Sequence, residues 1–299
     1  MRILLTGATG QVGSAIAALL ADRGHQVAGL SRQFRPVPAL CEHVKVCLGA
    51  ADALDLITKS LPPCEAIVHA AAFLSHDNDD PSISLTNCLG TQQVIKLAHS
   101  WGASQLVYIS SVPVIGRPVQ HPITEDHPTQ PLTAYHASKL YGESLMTLAE
   151  RNGCRAASLR LTSPSGPGTP QNRILAVFVR KAMAGGPLQV LGLGSRRQNY
   201  VDVRDVAVAV EACLTKRACG IYNIAAADNI SNYELAQTCI SELCSSATVD
   251  FVEKPDPEEG IVWDVSLSKA CRDLGYRPQF TIRDSIKAVA QDQSHRDPE

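Results

Sequence analysis

Glycines at positions 7, 10 and 13 stand between a short apolar run, Ile3 to Leu5, and a helical apolar pattern that begins at Ile16. Strand, glycine turn and helix in that order constrain this chain more than any other feature, because they begin an alternating α/β fold. Glycine every third residue lets the backbone turn tightly and leaves the first N–H groups of the helix facing outward, at the positive end of its dipole. Turns of this kind also occur where nothing binds, so the spacing alone does not decide the matter. The stretch from Ile3 to Ala21 is uncharged after a single Arg, which is the outline of a secretory leader. Thr6, Thr9, Gln11 and the three glycines interrupt it, and we read it as folded structure instead.

The rest of the first half keeps alternating. Ile16, Leu19 and Leu20 give a helix closed near Gly24; Gln26–Leu30 and Val44–Leu48 read as strands, and Leu54, Ile57 and Leu61 as the next helix face. Ala66–Ala72 is a fourth strand running into small residues, Asn87 opens a helix through Thr91, Val94, Ile95 and Ala98 that ends at Gly102, and Leu106–Ile109 is a fifth strand ending at Ser110-Ser111. This alternation predicts a doubly wound parallel sheet with ligands beyond the carboxyl ends of its strands. A Pro- and His-rich loop (113–131) precedes a helix that starts near Ala134. Later come a strand at Ala156–Leu161, a helix at Ile174–Ala184, and a capping box at Ser231 and Glu234 opening a helix through Leu243. The polar tail from Gln291 is expected to fray.

Composition excludes several classes. The 299 residues suit one large or two closely joined domains, and a net charge of −2 offers no basic surface for nucleic acid or an anionic membrane. No later window has the run of about 20 apolar residues that a membrane span needs. The ten cysteines are spread from Cys41 to Cys271 without a Cys-x-x-Cys pair, which predicts reduced thiols and a cytoplasmic protein. The nine histidines show no ligand spacing, so no metal site is expected.

Three further stretches carry chemistry. Ser31-Arg32 ends the second strand where an acidic residue would grip the ribose of NAD; an arginine there, or Arg35, suits the 2′-phosphate of NADP, and Ser31 can donate a hydrogen bond, although solvated loop arginines look the same. Ala70, Ala71 and Ala72 would let a flat ligand lie close to the backbone, and His69 reads as a packed core histidine. Tyr135 and Lys139 lie one turn apart on one helix face, so a cation beside the phenol would favour phenolate and make Tyr135 a proton shuttle. Surface packing is the alternative for such a pair.

Together these pieces resemble an extended short-chain dehydrogenase/reductase of the NAD-dependent epimerase/dehydratase type: Thr6-Gly-x-x-Gly-x-x-Gly13, His69-Ala-Ala-Ala72, Asn87-x-x-Gly-Thr91, Ser110-Ser111 and Tyr135-x-x-x-Lys139, all in order. Arg160–Gly168, Gly192–Val206, Tyr222-Asn-Ile224 and Leu274-Gly-Tyr276 extend the likeness over nearly the whole chain. The resemblance implies a Rossmann domain over 1–160, its core including parts of 200–225, and a smaller, interleaved substrate domain over 161–299. It implies Tyr135 as catalytic acid or base, Lys139 on the nicotinamide ribose lowering the tyrosine pKa, and Ser111 on the reacting oxygen. Cofactor contacts are expected from Gly7, Thr9, Gly10, Gln11, Val12, Gly13, Ser31, Arg32, Arg35, Ala70, Ala71, Ala72, Tyr135 and Lys139. Asn87 is expected to be structural or cofactor-adjacent, and a homodimer through the Tyr135 helix and its neighbour is implied.

Several departures shape the expected reaction. Where nucleotide-sugar members carry a diphosphate-binding Arg this chain has Gln198, preceded by Arg196 and Arg197; a second such Arg has no counterpart in Glu258-Glu-Gly-Ile-Val-Trp263; and an Arg-x-x-Asn pattern appears as Arg160-Leu-Thr-Ser163. Val112-Pro113 replaces the acidic residues of dehydratases. The sequence is therefore read as an NADP(H)-preferring oxidoreductase, with NAD as the alternative cofactor, acting on a small carbonyl or alcohol substrate that is sugar-like in size. The rival readings are a nucleotide-sugar epimerase with tightly held NAD and a non-enzymatic NADP sensor.

Overall fold

The computed structural model describes residues 1–151 and 153–296. Its first half runs β1 (Arg2–Thr6), α1 (Gln11–Asp22), β2 (Gln26–Ser31), β3 (Glu42–Lys45), α2 (Ala53–Ser60), β4 (Ala66–His69), α3 (Pro81–Ile83), α4 (Gly90–Trp101), β5 (Gln105–Ser111), α5 (Ala134–Arg151) and β6 (Arg155–Leu161). The second half runs β7 (Ser163–Ser165), α6 (Ile174–Met183), β8 (Leu188–Leu191), β9 (Arg197–Gln198), β10 (Tyr200–Asp202), α7 (Val203–Lys216), β11 (Gly220–Ile224), β12 (Ile230–Ser231), α8 (Asn232–Glu242), β13 (Val249–Val252), α9 (Ser268–Leu274) and α10 (Ile282–Arg296).

Seven strands form one parallel sheet in the order β11-β6-β5-β4-β1-β2-β3. Its central strands are buried along nearly their whole length, as in a sheet covered on both faces. One face packs Ile16 and Leu20 of α1 with Val206 and Val210 of α7; the other packs Ile57 of α2, Val94 and Leu97 of α4 and Met146 of α5. The fold is thus Rossmann-like. The chain runs outward from β1 to β3 and then crosses to β4, so β1 and β4 flank the switch point where such sheets open a crevice.

A third core lies within the second half, where Leu175, Phe178 and Val179 of α6 meet Leu188, Leu235, Cys239, Ile286 and Val289. The second half also returns α7 and β11 to the large sheet, β11 pairing with β6 from Gly220↔Ala157 to Ile224↔Leu161.

Four local expectations change. The third strand is Glu42–Lys45 and not Val44–Leu48: its pairing with Ala28–Ser31 ends at Lys45, and Val46 and Leu48 bury beyond the strand in the core that holds Ile57. The fourth strand stops at His69, leaving Ala70–Ala72 as loop. Asn87 does not open a helix but sits inside a π-helical turn, Ser84–Leu89, that leads into α4. The tail does not fray at Gln291; α10 continues to Arg296, because the Asp292 carboxylate accepts from the Gly168 N–H (2.6 Å) and the Gln293 amide donates to the Ala176 carbonyl (2.9 Å). The capping box forms, with Glu234 N–H to Ser231 Oγ at 3.1 Å and Ser231 N–H to Glu234 Oε2 at 2.8 Å. All ten cysteines are free thiols. Among the described residues no helix is long and apolar enough to cross a membrane, and no group of three or more His, Cys, Asp or Glu side chains could hold a metal.

Candidate active site

The glycine turn is a close contact of backbones. A Cβ on Gly7, which has φ +70°, would lie 2.8 Å from Ala71 Cα; one on Gly13 would lie 2.1 Å from the Gly7 carbonyl oxygen. No side chain larger than hydrogen fits at either place. Gly10 caps α1 without a side-chain hydrogen bond, and no acidic residue stands in the first turn, so the helix N-terminus keeps its positive end open.

In front of this turn lies a cavity of about 480 Å³, a volume suited to a small organic ligand. Thr6, Gly7, Thr9, Gly10, Ser31, Arg32, Arg35 and Ala70–Ala72 all line it. The sequence-predicted residues that do not are Gln11, Val12, Gly13, Tyr135 and Lys139. Gln11 instead donates to Thr169 Oγ1 at 3.0 Å, Val12 packs against the core, and Gly13 lies beneath Gly7. Leu30, Gln33, Val46, Leu48 and Thr86 join the lining; their apolar or neutral side chains gave no sequence signal.

Ser31 is not the free donor expected from the sequence. Its Oγ is 2.7 Å from the Gln33 carbonyl and 2.6 Å from His43 Nε2, so its single proton is already engaged. Arg32 lies over the Phe73 ring, 5.3 Å from its centroid, and leaves its guanidinium edge for a ligand. Phe73 is in turn fixed by Asn87, whose side chain accepts from the Phe73 N–H (2.7 Å) and donates to its carbonyl (3.0 Å) and to Ser138 Oγ (2.9 Å). Asn87 therefore joins the cavity wall to α5.

His69 is the core residue the sequence suggested, and it has a defined tautomer. Thr91 Oγ1 donates to the Asn87 carbonyl (2.5 Å), so His69 Nε2–H donates to Thr91 (2.9 Å) and Nδ1 accepts from Thr6 Oγ1 (2.7 Å). The same Thr6 oxygen accepts the Ala71 N–H at 3.0 Å, which pins Ala71 over Gly7. Burial, assisted by the Lys139 charge, pushes the imidazole down to about 3. It is neutral and serves the loop.

Ser111 ends β5, half-buried, and Tyr135 and Lys139 stand in the first turns of α5, the helix packed along β5. Lys139 is buried, donates to the Ile109 carbonyl at 2.8 Å and lies 5.8 Å from the Tyr135 ring centroid. Its Nζ also lies 5.0 Å from the Tyr108 ring, which packs on His69, and so connects this group to the cavity through Thr6. Burial lowers Lys139 to about 7, while Glu143 opposes the fall. Burial also pushes Tyr135 up to about 12, with Arg173 pulling weakly the other way. The expected lowering of the phenol by Lys139 is therefore not found: desolvation of the phenolate outweighs the help of nearby cations.

The comparisons agree with this architecture. Residues 3–225 match the model of the NAD dependent epimerase/dehydratase family. The chain belongs to that family. Its members among the similar proteins include a UDP-glucose 4-epimerase of Mycolicibacterium smegmatis, 28% identical over 97% of this chain and 98% of that protein. A dTDP-glucose 4,6-dehydratase of Streptomyces niveus is 26% identical over 96% of this chain and 90% of that protein. Of solved structures, the UDP-glucose 4-epimerase of Thermotoga maritima with UDP-glucose superposes with a TM-score of 0.88 at 19% identity, covering 99% of both chains. MoeE5 in complex with UDP-glucuronic acid and NAD gives 0.86 at 20% identity, covering 99% of this chain and all of that one. This family member is accordingly an enzyme of the extended short-chain dehydrogenase/reductase type, with the Rossmann-like fold such enzymes use.

A second cavity of about 380 Å³ in the other half is lined by Arg173, Gln198, Tyr200, Asn232 and Arg196. Arg196 is paired with Glu258 and lies 3.8 Å from Asp256, while the buried Tyr200 hydroxyl has no hydrogen-bond partner among the described residues. Of the neighbouring carboxylates Glu258 and Glu259, the first pairs with Arg196 and the second accepts from the Leu193 (3.1 Å) and Ser195 (2.9 Å) N–H groups. Arg173, which lines this cavity, opposes the rise that burial imposes on the Tyr135 and Tyr200 phenols.

Proposed function

We propose that this family member is a nucleotide-sugar epimerase that works through a nicotinamide dinucleotide. The observation that carries the reading is the buried Lys139, which joins Tyr135 and the end of β5 to the glycine-lined cavity; Arg173, which lines the second cavity, also eases ionisation of the same tyrosine. Near-full-length likeness to epimerases of UDP-sugars supports the substrate class.

The residues fit the cofactor. Gly7, Gly10 and Gly13 leave room for a pyrophosphate against the helix N-terminus, Ala70–Ala72 would lie along the dinucleotide, and Arg32 and Arg35 would meet the adenosine ribose. When bound, the nicotinamide supplies a hydride acceptor and donor. Tyr135 Oη takes the proton of the sugar hydroxyl as the carbon is oxidised and returns one to the ketone oxygen when the opposite face is reduced. Ser111 Oγ holds that oxygen, and Lys139 holds the ribose and balances the phenolate. Residues 161–299 supply most of the substrate side, with Arg173 and the free Tyr200 hydroxyl as its polar contacts. Exposed Leu89, in the turn before α4, and exposed Tyr141 and Leu148 of α5 give this side an apolar outer face, which supports a homodimer.

A second reading, an NADPH-dependent reductase, is favoured by the arginine rim at Arg32 and Arg35 and by the raised Tyr135 phenol, which carries at neutral pH the proton that a reduced carbonyl oxygen needs. Incubation with UDP-linked hexoses separates the two. Conversion to the epimer with no net change in nicotinamide supports the first; consumption of one NADPH per product, with a reduced product, replaces it with the second; no reaction with either cofactor and any UDP-hexose refutes the epimerase.

A further inference from the structure

A buried, fully bonded ion pair lies behind the proposed catalytic groups and has no part in the reaction described above. Glu143 sits on α5 one turn after Lys139, and its carboxylate receives three donors: Ser110 Oγ (2.6 Å), Arg160 Nε (2.9 Å) and Arg160 Nη2 (2.8 Å). Both charged side chains are about 3% exposed. Arg160 Nη1 also donates to the Glu125 carbonyl at 3.0 Å, and the Glu125 carboxylate accepts the Asn223 N–H at 2.9 Å. One carboxylate thus joins α5, β5, β6 and the loop after β5.

We propose that Glu143 and Arg160 are a positioning pair for the active site: the carboxylate fixes α5 against the end of β5, and the guanidinium keeps its charge from being claimed by Lys139. This inference rests on the reading of Tyr135, Lys139 and Ser111 given above. Three consecutive residues of β5 carry the argument. The Ile109 carbonyl holds Lys139, Ser110 is tied to Glu143, and Ser111 is the proposed oxygen ligand. Neighbouring residues of a strand point to opposite faces, so the bond at Ser110 sets the direction of Ser111.

The charge argument is as direct. Around Lys139 stand the Tyr108 ring of β5, Tyr135 and His136 of α5, and His69 of β4; both histidines are held neutral by burial. Glu143 is the carboxylate acting on the lysine. With Arg160 in place, its negative charge is shared with a fork that matches both oxygens. Without Arg160, the buried carboxylate has Lys139, one turn away, as its remaining cation, and the lysine becomes harder to deprotonate. Without Glu143, the lysine loses the one charge that supports its protonated form.

The test is the titration of Lys139 in the full-length protein, with and without added NAD, by carbon NMR of lysines labelled at Cε, the resonance assigned by its loss in Lys139→Met. Arg160→Met is expected to move the midpoint up by about one pH unit, and Glu143→Gln to move it below wild type. Arg160→Lys, which keeps the charge but loses the fork, should fall between wild type and Arg160→Met, and it serves if Arg160→Met does not fold. Midpoints that coincide in folded variants while Tm falls would leave the pair a structural strut and overturn the proposal. Midpoints that move as described in a protein that turns over no nucleotide sugar support the pair and overturn the functional reading instead.

Discussion

Replacing Gly13 with Ala tests the closest backbone contact in the site. The added Cβ would stand 2.1 Å from the Gly7 oxygen and 2.8 Å from its carbonyl carbon. Both obstacles are backbone, so no side chain can swing aside, and α1 must retreat by more than about 1 Å to restore ordinary contact. Crowding of this kind costs about 1–3 kcal/mol of stability. The same retreat takes the first N–H groups of α1 away from an anion in the turn, for which we expect a loss of about tenfold to a hundredfold in dinucleotide affinity, or ~1.4–2.7 kcal/mol. Gly24→Ala is the control: Gly24 has φ +79° and nothing within 4 Å of its added Cβ. It should lose ~1–2 kcal/mol through backbone strain alone and bind the dinucleotide as wild type does. Calorimetric Tm and fluorescence titration with NAD and NADP measure both quantities. If Gly13→Ala binds as tightly as wild type, or if Gly24→Ala loses binding equally, the glycine turn is not the pyrophosphate cradle.

Tyr135→Phe should leave dinucleotide affinity unchanged and lower kcat by at least about a hundredfold, since the proton has no other carrier; turnover near the wild-type rate would remove Tyr135 from the reaction. Arg32→Ala should weaken NADP by about tenfold and NAD little, because only a 2′-phosphate needs the charge; an equal loss for both would assign Arg32 to stacking on Phe73 alone. His69 links stability to pH. Its folded value of about 3 lies below the ordinary 6.5, so between those limits the unfolded chain binds the extra proton and stability falls as pH falls. The loss is at most about 1.4 kcal/mol per pH unit, and His69→Asn should flatten it in urea unfolding between about pH 6 and about pH 4. An unchanged slope would show that other groups carry the dependence.

Local pattern made the fold legible. The central strands are short apolar runs and the helices between them carry regular apolar faces, so the alternation from Ile3 to Ser111 was enough for a parallel sheet. Register was less so: Val46 and Leu48 are apolar and β-prone, yet they bury after the strand because Glu42–Lys45 pair with β2. The tail looked frayed because Asp292 and Gln293 are polar, and only their partners Gly168 and Ala176, more than a hundred residues away in sequence, show why the helix persists. Within the site, glycine spacing and the Tyr135–Lys139 pair were visible because they are local. Thr6 could have been suspected from its place before Gly7, and Glu143 from its one-turn offset from Lys139. Their roles depend on Ala71, His69, Ser110 and Arg160, which no sequence period connects to them. In the sequence, Ser31-Arg32 in place of an acidic ribose clamp favours a reductase, and the arginines missing at Gln198 and Glu258–Trp263 argue against a nucleotide sugar. Arg173, which lines the second cavity, belongs to no motif that the sequence offered.

The most direct measurement uses UDP-glucose deuterated at C4, incubated with the purified protein and a catalytic amount of nicotinamide dinucleotide. The account predicts UDP-galactose that keeps its deuterium at C4, with no net reduction of the nicotinamide and no product from Tyr135→Phe. Deuterium lost to solvent, or inversion that survives in Tyr135→Phe, would contradict it.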